Sequence, residues 1–213
     1  MHGTRRGLFA VGLGLMVLAY IAAPAVAARH HTKAPVKFGA LLTTHTQPSN
    51  SNPPHKCSEA DGDPLEDASC TRLMFNSEIG SPGGRLKAPS AGTITKIFLI
   101  AGHAGHLTPV VGFLSNADPS GGNGKITAKG PVLNYVSSGF DEPITIQSFN
   151  VSIKVKKGEV LGFRSTSTSA LRCDSGSTRQ ILFQPPLVVG AAPVSSGSTD
   201  DCTMLMEAQM TPA

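Results

Sequence analysis

Residues 143–163, PITIQSFNVSIKVKKGEVLGF, decide the fold class of this chain. From position 149 to 156 every odd-numbered residue is aromatic or β-branched, and every even-numbered residue is polar. Such alternation is typical of a strand with one face on a core and the other in water. Lys157-Gly158 is a turn signal, and Val160–Phe163 begins the next strand. Ile144 and Ile146 alternate on even numbers, so a bulge or bend is predicted at Gln147-Ser148.

Short strands of the same kind recur along the chain, separated by turns rich in glycine, proline and serine. The chain has 23 Gly and 16 Pro, and only 15% of its residues are charged. Other strands are predicted at Thr71–Phe75, Thr93–Ala101, Leu107–Ser115 (broken by Pro109), Lys125–Ala128, Pro131–Val136, Gln180–Val189 and Thr203–Met210. Gly190–Asp201 is predicted to be a Ser/Gly loop. These patterns predict an all-β fold, a single jelly-roll-like β-sandwich of about 8–10 strands.

The N-terminal segment has the organisation of a secretory signal. Arg5 and Arg6 precede an apolar stretch, and Ala25-Val26-Ala27 is a small-x-small cleavage site. Residues 1–27 are therefore predicted to be a signal peptide, with an uncleaved transmembrane anchor as the alternative. Residues 28–56 are polar and rich in Pro, Ser, Asn, Thr and His, which predicts a disordered arm. The β-sandwich domain is then expected to span residues 57–213.

The four cysteines are Cys57, Cys70, Cys173 and Cys202. None has the spacing of a zinc site, and an even number of cysteines in an exported chain predicts two disulfides. Four cysteines allow three connectivities. The pairing Cys57–Cys70 and Cys173–Cys202 is favoured only because it closes the shortest loops.

No group of residues has the spacing of a metal or cofactor site. Acidic residues between the first two cysteines could present oxygens to calcium, but they do not follow a known coordination motif: Asp61, Asp63, Glu66 and Asp67. Histidines are scattered, at His30, His31, His45, His55, His103 and His106 among others. Because neither set has ligand spacing, no metal and no cofactor are predicted.

Charge and aromatic content exclude some partners. Loss of the two leader arginines would lower the formal charge from +4 to +2, too small for a nucleic-acid-binding protein. The chain has no Trp, and Tyr135 is the one Tyr outside the leader. Because sugar platforms need exposed aromatic faces, the commonest form of carbohydrate binding is disfavoured. No Gly-x-Ser-x-Gly elbow is present.

Two motifs carry a resemblance to known proteins. The first consists of Pro89, Gly92, Ile94 and Thr95, and the second of Val155, Lys156, Gly158, Glu159, Leu161 and Gly162. Their order and spacing resemble those of a group of exported bacterial jelly-roll domains, largely of uncharacterised function, over roughly Cys70 to the C-terminus. In that group Asp usually stands where this chain has Glu159. The resemblance implies the fold and a strand-joining turn at Gly158-Glu159, whereas a fold alone does not imply a function.

These observations favour a non-enzymatic exported module, acting in binding or structure at the cell surface or outside it. Cell-wall polysaccharide and surface proteins are the partners such a module would meet, with no nucleic acid and no membrane after signal cleavage. The alternative is a secreted hydrolase acting on glycan or ester bonds, because loops at the ends of a sandwich can carry active sites. Its acids would come from Asp118, Asp141, Glu142 or Asp174.

Overall fold

The structure is a computed structural model, and it describes residues 33–45, 69–75, 86–102, 104–118, 120–139, 141–165, 173–196 and 198–213. Within β-strands, the side chains of residues 173–179, 198 and 200–203 are not described. The described chain forms β-strands, turns and loops, without a helix. Two sheets pack against each other, which confirms the predicted all-β sandwich. The predicted signal peptide lies outside the described residues.

In the described part of the chain, twelve strands make up the two sheets. In chain order they are β1 (Val36–Gly39), β2 (Cys70–Phe75), β3 (Gly92–Leu99), β4 (Gly105–Asp118), β5 (Gly121–Lys129), β6 (Leu133–Tyr135), β7 (Gln147–Val155), β8 (Val160–Ser165), β9 (Cys173–Phe183), β10 (Val194–Ser196), β11 (Ser198–Met204) and β12 (Met206–Pro212). The small sheet has the order β1-β12-β3-β7. The large sheet has the order β10-β5-β4-β8-β2-β9-β11, with β6 paired to β4. All pairs are antiparallel.

Strand β7 confirms the alternation at 149–156. Ile153 and Val155 are buried, whereas Asn150 and Lys154 on the opposite face are exposed. Of the bulge or bend predicted at Gln147-Ser148, the bulge is wrong, because the change of parity there marks the end of a loop and the start of β7. The register between β3 and β7 shifts further along, between Ile94 and Lys96.

The arm predicted to be disordered contains a strand. β1 pairs with β12, and Phe38 is 2% exposed in the core between the sheets. The backbone N–H of Ala40 extends this pairing by donating to the carbonyl of Met206 over 3.0 Å. The compact unit therefore begins at Lys33 and not at residue 57, which corrects the boundary predicted at residues 28–56. Residues 46–56 lie outside the described chain.

The main core lies between the two sheets. Its members from the small sheet are Phe38, Ile94, Ile97, Leu99, Ile153, Val155, Met206, Ala208 and Met210; those from the large sheet include Met74, Val111, Leu161, Phe163 and Met204. Burial of these apolar side chains is the principal stabilising contribution to a sandwich of this kind. Met204, Met206, Ala208 and Met210 all belong to this core, although the chain moves from the large sheet to the small sheet at Leu205.

The large sheet curls until its two edges meet. β10 pairs with β5 at one edge and β11 pairs with β9 at the other, and one residue separates β10 from β11 in the chain. The hydroxyl of Ser196 in β10 also donates to the carbonyl of Leu182 in β9. A second core fills the curled sheet, with Leu73, Phe75, Val110, Ile126, Val160, Ile181, Phe183 and Leu187. The large sheet is therefore apolar on both faces.

Several predicted strand boundaries are wrong: strands extend into segments predicted to be loops, and one predicted strand ends early. Gly190–Asp201 contains β10 and part of β11, whose Ser and Thr residues pair with neighbouring strands. Pro109 does not break its strand, because β4 runs through it and pairs with β8 there. β9 ends at Phe183, just before the cis peptide between Gln184 and Pro185.

Of the four cysteines, Cys70 has a described side chain. It is fully buried against Leu182, and it is bonded in a disulfide whose partner lies outside the described side chains. The backbone register places Cys173 opposite Met204, so Cys202 lies two residues away along the neighbouring strand. The pairing of the cysteines stays a prediction.

Candidate functional site

A cleft of about 490 Å³ opens at one end of the sandwich, where the two sequence motifs meet. Gly92 of the first motif pairs with Val155 of the second across β3 and β7. The cleft is lined by Ala91, Gly92, Thr93, Thr127, Ala128, Lys154, Val155, Lys156, Glu159, Thr211, Pro212 and Ala213. Its volume is within the range of small-molecule sites in proteins.

Glu159 forms the inner part of the cleft wall, and its carboxylate is fully engaged. One oxygen accepts a hydrogen bond from the hydroxyl of Thr127 at 2.6 Å. The other accepts from the backbone N–H of Lys156 at 2.7 Å. The residue is fully buried. Buried carboxylates need such partners, because an unpaired one would carry a large desolvation cost.

The backbone around Glu159 ties the turn between β7 and β8 to the segment before β3. The carbonyl of Glu159 accepts from the N–H of Ala88, and the N–H of Gly158 donates to the carbonyl of Ala88, each at 2.8 Å. Gly158 has a φ of +85°, in the left-handed region that favours glycine, as a turn between β7 and β8 requires. The motif residues Gly158 and Glu159 therefore form the strand-joining turn that the resemblance implies.

A close approach of two strands accounts for Gly92 in the first motif. A Cβ at this position would lie 2.3 Å from the carbonyl oxygen of Thr211 in β12. Such a distance is incompatible with any side chain, and the clash would be with backbone, which cannot move aside easily. Glycine here lets β12 pack against β3 at the floor of the cleft.

The rim of the cleft is basic and rich in hydroxyl groups. The ammonium of Lys154 donates to the hydroxyl of Thr93 over 3.1 Å. Lys156 is exposed beside it, and Thr211 contributes a further hydroxyl from β12. The rim can therefore offer cationic and neutral hydrogen-bond donors to a ligand, while the acid in the wall is held inward.

Asp118, one of the four predicted hydrolase acids, lies at the tip of the β4–β5 hairpin. Its carboxylate accepts hydrogen bonds from both the hydroxyl and the backbone N–H of Ser120. These bonds hold the pKa of Asp118 below its ordinary value of 3.8. The bond from the Ser120 hydroxyl lowers this pKa the most. Asp118 thus acts as a turn acceptor, away from the cleft lining.

The predicted acids Asp141 and Glu142 lie in the loop between β6 and β7. Glu142 accepts a hydrogen bond from Nδ1 of His45 at 3.0 Å, which joins this loop to the segment after β1. The loop begins after Tyr135, the last residue of β6, which lies opposite Gly105 at the start of β4. Asp118 is at the other end of β4. Roughly 40 Å of strand separates the two ends of β4, so Asp118 cannot pair with Asp141 or Glu142 over one substrate bond.

Other predicted site residues fall elsewhere or outside the described chain. His106 is exposed on β4 opposite Asn134. The side chain of Asp174, all four acids of the predicted calcium loop, and His30, His31, His55 and His103 lie outside what the structure describes. Tyr135 is buried in the main core, and burial raises its pKa to about 12. It therefore cannot present a ring to a sugar.

Thr127, Ala128 and Thr211 were not predicted as site residues. They come from β5 and β12, which are remote in sequence from both motifs, and no local pattern marks them. Only the pairing of β12 with β3, and the packing of the two sheets, brings them to the cleft.

Comparison of the chain with protein-family models, with curated proteins and with solved structures finds no match. The described residues hold no group of three or more His, Cys, Asp or Glu side chains placed to share a metal ion. Among those same residues, none forms a helix long and apolar enough to cross a membrane.

Proposed function

We propose that this protein is an exported, non-enzymatic binding module, and that the cleft between the two motifs is its ligand site. The observation that carries the proposal is the state of Glu159, the acid in the cleft. Both of its oxygens are occupied, by Thr127 and by the backbone of Lys156, while lysine and threonine groups at the rim face outward. Such a wall can hold a ligand in place but offers no carboxylate to act as acid or base on it.

The placement of the other acids supports a binding role over the hydrolase alternative. A glycosidase needs two carboxyl groups within roughly 10 Å of each other across the scissile bond. Asp118 is the last residue of β4, whereas Glu142 lies in the loop after β6, which pairs with the start of β4; each carboxylate is engaged by a neighbouring side chain, Ser120 or His45. We therefore expect no turnover in a broad screen of glycans and esters. Turnover that Asp141→Asn or Glu142→Gln abolishes would contradict the proposal.

Export is supported by the signal-like leader, by the motif resemblance to exported bacterial domains, and by the bonded state of Cys70. Disulfides persist mainly in oxidising compartments outside the cytoplasm. We expect the processed chain to begin at Ala28, and its cysteines to react with an alkylating agent only after reduction. Intact Arg5 and Arg6 in the mature protein, or thiols reactive before reduction, would contradict export by this route.

The role of the cleft as a ligand site can be tested by placing a large side chain at its entrance. Ala91 is exposed on the rim, so Ala91→Trp should obstruct the cleft without disturbing either core. Ala191→Trp is the matched control, because Ala191 is also exposed and lies in the loop before β10, away from the cleft lining. We expect retention of the processed chain on whole cells and cell-wall fractions to fall about tenfold or more for Ala91→Trp, and to stay unchanged for the control. Equal retention of both variants would exclude the cleft.

A further inference from the structure

The outer face of the small sheet forms a second polar surface, next to the cleft. Alternation and register place on it Lys37 of β1; Lys96 and Phe98 of β3; Ser148, Asn150, Ser152 and Lys154 of β7; and Glu207 and Gln209 of β12. One row crosses all four strands, since Lys37 is opposite Gln209, Gln209 is opposite Lys96, and Lys96 is opposite Asn150.

The charges on this outer face are unbalanced. Glu207 is the one acid on it within the described chain, and Lys37 approaches its carboxylate at 2.6 Å. The ammonium of Lys37 also lies 4.6 Å from the centroid of the Phe98 ring, so its position is held from two sides. Glu207 is also a diagonal neighbour of Lys96, but among the described residues the carboxylate pairs with Lys37, and neither Lys96 nor Lys154 forms an ion pair. The face therefore carries a surplus of positive charge.

The positive charges are spread and not clustered. Lys37 and Lys96 are separated by one intervening strand, which places them about 10 Å apart. Lys96 is on β3 and Lys154 is on the adjacent strand β7, where it lies opposite Thr93, three residues before Lys96. These two lysines are therefore also about 10 Å apart. Short amide and hydroxyl side chains fill the spaces between them, including Asn150 and Gln209. Such an arrangement suits a long ligand with recurring negative charges and many hydroxyl groups.

We infer that the outer face of the small sheet binds an anionic polysaccharide. A nucleic acid is disfavoured because the ring of Phe98 is covered by Lys37 and leaves no open stacking surface. A membrane is disfavoured because no exposed large apolar side chain lies on this face. The flat, hydroxyl- and amide-bearing surface instead matches a polymer that is itself rich in hydroxyl groups. This inference goes beyond the proposed cleft function. Lys154 borders both surfaces, whereas Lys37 and Lys96 lie on the outer face and are not part of the cleft lining.

Binding of polygalacturonate, a carboxylated sugar polymer, tests the inference, with uncharged dextran as the reference. We expect the processed chain to bind polygalacturonate at low ionic strength and not dextran, and to release it as salt is added. Lys96→Gln should weaken binding about threefold, and Lys96→Gln with Lys154→Gln about tenfold, as expected for exposed ion pairs. Lys129→Gln is the matched control, because Lys129 is exposed on the large sheet. Unchanged melting temperatures will show that the variants are folded.

The outcomes separate this inference from the cleft. Ala91→Trp should leave polygalacturonate binding intact, since Ala91 is not on the outer face. The inference is overturned by an absence of binding to polygalacturonate, by equal weakening in Lys129→Gln, or by loss of binding in Ala91→Trp. Equal or tighter binding to single-stranded DNA, or to vesicles containing phosphatidylglycerol, would overturn the assignment to a polysaccharide.

Discussion

Glu159 shows how one side chain can hold a junction of segments in place. Its carboxylate joins the β7–β8 turn to Thr127 in β5, and its carbonyl joins the turn to Ala88 before β3. Removal of the carboxylate would take away the acceptor that the hydroxyl of Thr127 and the N–H of Lys156 share, and Thr127 would keep only its 3.3 Å bond to the carbonyl of Val111. A hydrogen bond to a charged group contributes roughly 1.5 kcal/mol or more, and two are lost.

Glu159→Ala is therefore expected to lower the free energy of unfolding by about 3 kcal/mol. Lys157→Ala, in the same turn but exposed, should change it by less than about 0.5 kcal/mol. Urea unfolding of the two variants and the parent measures the difference. Similar stabilities for all three proteins would show that the Glu159 carboxylate has no structural role.

The hairpin tip gives a prediction about pH. Because the folded pKa of Asp118 is below 3.8, ionised Asp118 stabilises the folded state above that pH, and the contribution is lost as pH falls through the folded pKa. Ser120→Ala removes the strongest cause of the shift but keeps the backbone donors. The NMR-measured pKa of Asp118 should therefore rise and stay below 3.8. An unchanged pKa, or an equal rise in the distant variant Ser152→Ala, would contradict this account.

For single residues, the sequence allows a correct prediction where the relevant residues are adjacent in the chain. The turn at Gly158 and Glu159 could be predicted, because glycine and an acid between two apolar runs indicate a strand-joining turn. Thr127 could not be predicted as the partner of Glu159. The two residues are 32 positions apart, and no sequence pattern relates them; only tertiary packing brings them together.

At the scale of elements, β1 was the main strand missed, and the reason is its length. Only Val36 and Phe38 alternate inward, and they stand in a segment otherwise rich in polar residues and proline. β10 and β11 were missed because serine, threonine and aspartate predict loops. Their strand conformation comes from pairing with β5 and β9. β3 and β7, with longer apolar alternation, were predicted correctly.

β1 provides the prediction at this scale. Phe38→Ala should lower the free energy of unfolding by about 3 kcal/mol, because the ring is buried between the two sheets. Leu41→Ala is the control in the same segment, since Leu41 is 50% exposed and should contribute less than about 0.5 kcal/mol. Equal stabilities in urea would restore the interpretation of this segment as a disordered arm.

At the scale of the whole molecule, closure of the large sheet was not predictable. Alternation indicates that a strand has one buried face, yet β2, β4 and β8 bury both faces. Leu73 and Met74, neighbours in β2, belong to different cores. A continuous apolar run indicates burial without showing what covers each side. The second face of the large sheet is buried because the sheet curls and packs against itself.

A double-mutant cycle tests this closure. A Cβ at Gly124 in β5 would lie 2.2 Å from the Phe183 ring in β9, so Gly124→Ala should cost about 2 kcal/mol. In a Phe183→Ala background the same change should cost close to nothing, because the obstruction is gone. Gly112→Ala is the control, since its Cβ would meet the backbone carbonyl of Lys125 at 2.1 Å. Gly112→Ala should lower the free energy of unfolding equally with and without Phe183→Ala. If the effects of Gly124→Ala and Phe183→Ala on that free energy are simply additive, the large sheet is not closed as described.

The position of β12 constrains the order in which the molecule can assemble. This strand, made from residues 206–212, lies in the middle of the small sheet, between β1 and β3. β1, the first of the described strands, thus pairs with the strand that follows all the other described strands in the chain. A chain that emerges from a narrow pore with its N-terminus first must therefore keep β1 and β3 unjoined until β12 has emerged as well. Completion of the small sheet is then a late event that depends on contacts between residues remote in sequence, and such contacts slow folding.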